Sequence, residues 1–215
     1  MNKTKPIRLY RYTSIPVLLD MLQNNRLFLS NPDKWTDKTD ANFLKEYAKG
    51  KKVKALCFFE KNETSHYWEL YAKKGCMITF NTELLLASIG KNLTNGVLEY
   101  SPVSYIKFRD LKDETQKCNI PFIKQLRYEN EQEFRIVWTG EKEEKDGASI
   151  YIDPKSIEKI IISGDIPEKL AKSLIDAIHK ITEKAFAKKV FYSWLYDNKV
   201  WNKKAKNKIS HNSSC

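Results

Sequence analysis

Apolar and polar residues alternate along Ile7–Tyr12 (IRLYRY), and the stretch that follows, TSIPVLLDMLQNN, switches to a helical period. Ile15, Leu18, Leu19 and Leu22 share a stripe, Thr13 or Ser14 can cap the helix, Pro16 sits in its first turn and Asn24-Asn25 ends it. RLFLS (26–30) reads as a second strand and NPDKWTDKTD (31–40) as a polar loop of turn formers. A helix near 41–50 leads to an apolar strand over 53–60. Residues 62–75 read as a short helix, capped by Asn62 or Thr64 and ended by Gly75. Then come a strand (76–81), a helix (82–90) and a proline-interrupted strand (97–106). A lysine-rich helix is expected over about 110–125, a strand over 127–138, and strands in ASIYIDP and KIIISG. The strongest helical pattern is 166–188, where Leu170, Leu174, Ile175, Ile178, Ile181 and Ala185 share a face. VFYSWLY (190–196) closes the pattern as a strand. Strands and helices mix without βαβ alternation, which predicts α+β. The expected organisation is one domain, 1–198, and a basic, disordered tail, 199–215.

One strand is chemically odd. In RYENEQEFRIVW (127–138), alternation puts Glu129, Glu131, Glu133, Arg135 and Val137 on one face, opposite Tyr128, Phe134, Ile136 and Trp138. Three carboxylates in register repel one another and cost stability unless something compensates. The plainer reading is an exposed face with weak Glu–Arg and Glu–Lys pairs. The apolar run FRIVW argues for a central strand instead.

Composition bounds the function classes. The 215 residues are 41% hydrophobic and 30% charged, enough for one core. No apolar run is long enough to cross a bilayer, and no apolar segment follows the basic N-terminus as in a secretory signal. Cys57, Cys76, Cys118 and Cys215 are scattered and histidines number three, so no metal site is expected, and reduced thiols fit a cytoplasmic location. The net charge of +11 suits a polyanionic partner, or solubility alone.

Two further constellations carry candidate chemistry. Arg11, Tyr12, Thr13 and Ser14 stand where a strand meets a helix N-terminus, a place that suits phosphate, or a plain helix cap. Ser65, His66, Trp68 and Tyr71 lie within two helical turns, and Trp68 and Tyr71 could stack on a planar ring or belong to the core. Asp37 and Asp40 suit a turn better than a metal.

In order, Tyr10-Arg11-Tyr12, Leu29 to Pro32, Asp37 and Asp40, Cys57-Phe58-Phe59, Trp68 to Ala72, Tyr128 to Arg135 and Ile161 to Gly164 resemble a bacterial family known as domain of unknown function 2971. The resemblance covers residues 8–165. Phe59 replaces a serine usual there, and Lys38-Thr39 departs from the family's aspartate loop. More distantly, Arg11 with its hydroxyl neighbours and Leu-rich helix, a mid-chain aromatic element, and Glu131-x-Glu133 resemble ADP-ribosyltransferase toxins that modify nucleic acids. That resemblance implies a split mixed or antiparallel sheet with flanking helices and NAD as substrate. It makes Glu133 the group facing the oxocarbenium-like ribose, and Glu131 the one that orients or deprotonates the acceptor. Arg11, Tyr12, Thr13, Ser14, Trp68 and Tyr71 would contact NAD. It implies a toxin or phage-defence effector held by an antitoxin.

Nucleic acid, RNA slightly ahead of DNA, is the expected acceptor, with Trp201, Lys203, Lys204, Lys206 and Lys208 as its contacts. The alternatives are a non-catalytic nucleic-acid-binding module, a protein-modifying transferase and an NAD hydrolase. Convergence of Arg11, Trp68 and Glu133 on one cleft favours the enzyme; glutamates facing open solvent favour the module.

Overall fold

The computed structural model describes residues 5–89, 96–111, 117–141, 149–193 and 195. The basic tail, with Trp201 and Lys203, Lys204, Lys206 and Lys208, lies outside them. The strands are β1 (Arg8–Thr13), β2 (Arg26–Phe28), β3 (Lys52–Phe59), β4 (Cys76–Asn81), β5 (Gly96–Pro102), β6 (Ser104–Ile106), β7 (Ile123–Gln125), β8 (Glu133–Gly140), β9 (Ser149–Tyr151), β10 (Ile157–Ile162) and β11 (Val190–Tyr192). The helices are α1 (Ile15–Asn24), α2 (Lys38–Ala48), α3 (Ser65–Tyr71), α4 (Thr82–Ile89) and α5 (Glu168–Ile181).

The architecture is α+β. A seven-stranded mixed sheet runs in the order β11-β10-β4-β1-β3-β8-β5, and two small pairs, β2-β9 and β6-β7, flank it. In the large sheet only β10 and β11 are parallel. β1 pairs with β4 along its whole length, from Arg8↔Asn81 to Thr13↔Cys76, and β3 pairs with β8 from Lys52↔Gly140 to Phe59↔Glu133. Between β1 and β3 the register holds a single pair, Tyr10↔Phe59. The sheet therefore splits there, and the two halves diverge.

Alternation along the strands sends Leu9, Phe58, Ile78, Phe80, Phe134 and Ile136 into the main core. α1, α4 and α5 cover that core with Leu18, Met21, Leu85, Ala171 and Ile178. The opposite face carries Ala55 and Val137, covered by Leu44 and Ala48 of α2 and by Phe122. Gly75, just after α3, is fixed by space rather than by turn geometry: a Cβ there would meet the Thr13 carbonyl oxygen at 2.1 Å.

Several boundaries differ from the sequence reading. Residues Leu126–Glu131 form a 3-10 turn, Gln132 is left-handed at φ 41°, and β8 starts only at Glu133. Glu129 therefore never joins the expected ladder. The Tyr67 hydroxyl donates to the Asn130 carbonyl (2.7 Å) and the Glu60 N–H to the Gln132 carbonyl (2.8 Å), which pins the turn. Of the helix expected over 110–125, residues 112–116 lie outside the described residues; the described remainder holds a 3-10 segment, Lys117–Phe122, followed by β7, because Pro121 lacks a donor and bars a continuous helix. The polar loop after β2 is cut short, since Asp37 caps α2 by accepting from the Thr39 and Asp40 N–H groups. α5 ends at Ile181, with Glu183 and Lys184 at positive φ, and leaves Leu170 and Ile181 exposed. No helix of the described residues is long and apolar enough to cross a membrane.

Candidate functional site

The divergence of the two half-sheets opens a cavity of about 540 Å³. Arg11 and Tyr12 of β1 line one side, and Lys124, Glu131 and Glu133 line the other, with Tyr71 from the end of α3. These groups come from five separate segments, so the cavity exists only in the folded chain.

Glu133 is the most constrained of them. It is 6% exposed, at the first position of β8. Its N–H donates to the Tyr105 hydroxyl of β6 (2.8 Å), and its carbonyl accepts from Val103 (2.8 Å). One carboxylate oxygen accepts from Lys124 Nζ (2.8 Å) and the other from Arg135 (2.7 Å). Lys124 also binds the Glu131 carboxylate. Arg135, fully buried, makes a two-pronged contact with Asp40 of α2 (2.9 and 2.8 Å) and donates to the Pro121 carbonyl (3.0 Å). Buried charges persist only when paired and hydrogen-bonded in this manner. Three carboxylates, Asp40, Glu131 and Glu133, face two cations, Lys124 and Arg135, so the cluster is formally anionic when all are ionised.

The two glutamates respond oppositely. Burial pushes the Glu133 carboxyl up, but Arg135 and Lys124 more than reverse this and hold it below the ordinary carboxylate range. Burial and the neighbouring Glu133 push Glu131 up to about 7 against the pull of Lys124. The pair shares one ammonium, so it titrates as a unit with an ionised member and a member poised near neutrality.

Arg11 is half-buried and, unlike Arg135 and Lys124, has no carboxylate partner among the described residues. Its guanidinium donates to the Cys57 carbonyl (3.2 Å), while its buried Nε has no partner. Burial lowers its pKa. A desolvated guanidinium with spare donors beside a cavity is a place for an anionic or hydroxyl-bearing ligand. Trp35, Tyr71 and Tyr128 add aromatic surface to the same cavity.

Not every residue expected at the site reaches it. Trp68 is 0% exposed; its indole N–H donates to Glu63 (2.9 Å) and its ring meets Tyr12 edge-on at 5.2 Å. It packs behind Tyr12 and is not among the residues that line the cavity. Thr13 is buried outside the cavity lining, and Ser14 is exposed at the α1 N-terminus with no side-chain cap bond. Tyr12 lines the cavity while packing on Phe59, Tyr67 and Trp68. Ser65 and His66 are not among its lining residues. Asp37 and Asp40 do line it, as a helix cap and as the partner of Arg135. Among the described residues no group of three or more His, Cys, Asp or Glu is arranged to hold a metal ion.

Two solved structures resemble this chain, both of DarT from Thermus sp. 2.9. One, in complex with ADP-ribosylated single-stranded DNA, is 11% identical, with a TM-score of 0.44 over 91% of this chain and 99% of that one. The other, in complex with carba-NAD+, is 12% identical, with a TM-score of 0.40 over 90% and 100%. No protein-family model matches, so the resemblance to domain of unknown function 2971 has no such match behind it. No curated protein matches either.

The sequence reading missed Lys124, Asp40 as an ion-pair partner, and Trp35. Lys124 falls in the lysine-rich helix expected over about 110–125, and one lysine among many carries no mark of its destination. Only an arginine in an apolar run (FRIVW) signalled a buried ion pair, and it needed a carboxylate from elsewhere in the chain.

Proposed function

We propose that this chain is an NAD-dependent ADP-ribosyltransferase that modifies nucleic acid. The observation that carries the reading is the meeting of Arg11 and Glu133, from opposite sides of the sheet split, on one cavity. A binding module would leave the glutamates in solvent; Glu133 is instead buried, oriented through three protein contacts and held ionised. The volume lies within the range of about 300–1,000 Å³ usual for cofactor sites.

In this mechanism Arg11 binds the pyrophosphate or a ribose hydroxyl of NAD, and Tyr71 packs on the nicotinamide. The nicotinamide–ribose bond breaks and its electron pair leaves with nicotinamide. Glu133 faces the positive charge that develops on the ribose. Glu131 takes the proton of the acceptor as the acceptor's lone pair forms the new bond to the ribose carbon. The charge of +11 and the lysines of the 199–215 tail supply contacts to a polyanionic acceptor. An activity of this kind damages its host unless restrained, which suits a toxin or defence effector with an antitoxin.

The deciding experiment is mass spectrometry of cellular RNA, DNA and protein after expression. An ADP-ribose adduct on nucleic acid is expected; an adduct confined to protein gives the reading to a protein-modifying transferase, and free ADP-ribose alone to an NAD hydrolase. Cofactor binding is tested by melting. NAD should raise the midpoint of the wild type by linkage, and Arg11→Ala should abolish most of that rise. Calorimetry that finds no NAD binding by the wild type, with acceptor present, overturns the cofactor assignment.

The shared titration of the glutamates gives a pH dependence. Transfer should rise as pH increases through about 7, where Glu131 becomes a free base, and Glu131→Gln should flatten that limb. Stability moves the other way. A carboxyl whose folded pKa is raised contributes stability present below its unfolded value near 4.3 and lost as pH rises toward about 7. Glu133, depressed, contributes stability above its unfolded value that is lost as pH falls. Denaturant midpoints across pH 4–8 for the wild type and Glu131→Gln check the first of these.

A further inference from the structure

A second, smaller chamber of about 110 Å³ adjoins the candidate site. The two share Asp37, Asp40 and Lys124 as common lining residues. Beyond that wall, Phe43 of α2, Ile106 of β6, Leu111 and Ile123 of β7 converge. All four are only half-buried, although they come from four separate segments and meet at one point. Apolar groups brought together in this way but not packed shut retain a favourable transfer free energy for an apolar occupant. Polar groups, Thr39 and Gln125, complete the lining. An apolar body with a few polar groups for orientation is the usual lining of a small-molecule site, and a flat ring with a polar edge is one occupant that suits it.

We propose that this chamber seats the acceptor base. The inference rests on the ADP-ribosyltransferase reading and adds the acceptor's place to it. A base held between Phe43, Ile106, Leu111 and Ile123 has its polar edge at the shared wall, next to Lys124. Lys124 in turn binds Glu131, the proposed base for the acceptor's proton, and Glu133, the group facing the ribose. The acceptor and the cofactor then approach from neighbouring compartments and meet at the charged cluster. The chamber, at about 110 Å³, is smaller than the roughly 150 Å³ of an apolar cavity that takes up a benzene-sized ring, so it holds part of one base at the shared wall and excludes a stacked pair. Such a pocket admits one nucleotide out of its stack, so single-stranded acceptors are preferred over duplex.

Leu111→Trp, in the full-length protein, fills the chamber without touching the charged cluster, and Leu111→Ala enlarges it. Three quantities are read: NAD binding by calorimetry, nicotinamide release without acceptor, and ADP-ribose transfer to short single-stranded DNA and RNA. Leu111→Trp should bind NAD and release nicotinamide as the wild type does while losing about tenfold or more of transfer. Leu111→Ala should retain transfer. Undiminished transfer by Leu111→Trp overturns the proposal. Equal loss of NAD binding also overturns it, because the chamber then holds the cofactor's own ring. Free nucleosides give a measurement that needs neither a variant nor turnover. In methyl NMR spectra of the wild type, they should shift the signals of Ile106 and Ile123, and the absence of any shift counts against the chamber. A wild type that binds nucleosides there yet never consumes NAD would remove the transferase reading and leave the base site standing.

Discussion

Glu133→Gln should reduce NAD turnover by roughly a hundredfold or more, about 2.7 kcal/mol of transition-state stabilisation. The substitution keeps the volume of the side chain and removes its charge. What it leaves behind is well defined: Lys124 still has Glu131, and Arg135 still has both oxygens of Asp40. The fold should therefore survive with a lowered midpoint, and loss of turnover can be read as chemistry. Nicotinamide release measured beside a melting curve checks both parts. A folded Glu133→Gln protein that consumes NAD at the wild-type rate would remove Glu133 from the reaction. The variant should also leave the affinity for NAD nearly unchanged, since Arg11 sits on the other side of the split and makes no contact with Glu133.

The largest expected effect on stability belongs to Arg135. It is 0% exposed and compensates two buried carboxylates, Asp40 and Glu133. Arg135→Met should cost about 3–5 kcal/mol, because the partners are left charged in a low-dielectric environment. Against a typical stability of about 5–15 kcal/mol that is a severe loss. Arg135→Lys should rescue little, since an ammonium cannot reproduce the fork that spans both Asp40 oxygens. Combining Arg135→Met with Asp40→Leu should recover stability, because the unpaired carboxylate on α2 goes with its partner. It should not recover turnover, because Glu133 then has Lys124 alone to orient it. Urea midpoints for the single and double variants decide the matter. A single variant as stable as the wild type would show that the cluster does not hold α2 to the sheet.

Both experiments concern a cluster that the sequence announced only in part. RYENEQEFRIVW contains three members of the cluster, Glu131, Glu133 and Arg135, but the geometry expected for it differs from the one observed. The expected ladder of three carboxylates does not form: the turn at Leu126–Glu131 and the left-handed Gln132 take Glu129 and Glu131 off the strand. Like-charge repulsion along a strand is relieved by breaking the strand and by importing Lys124. Trp68 shows the opposite failure. Its helix was legible, but an aromatic on a short helix looks the same in sequence whether it turns inward or toward a ligand, and here it is fully buried. Trp35, in a loop of turn formers, is the indole that reaches the cavity.

What the sequence determined by itself is local. Alternating and 3.6-residue apolar periods fix β1, α1, β3, α3, β4, α4, β10 and the core of α5, because burial of a face acts over a few neighbouring residues. Proline and cap residues set boundaries for the same reason, as Pro16 in the first turn of α1 and Thr64 at the start of α3 show. What only the tertiary structure decided is every arrangement that joins distant segments: the split between β1 and β3, the meeting of Asp40, Lys124 and Arg135, and the chamber behind them. A buried ion pair leaves almost no trace in sequence. Its members are ordinary charged residues, and the low dielectric that makes their pairing decisive exists only once the two halves of the sheet and α2 have closed around them.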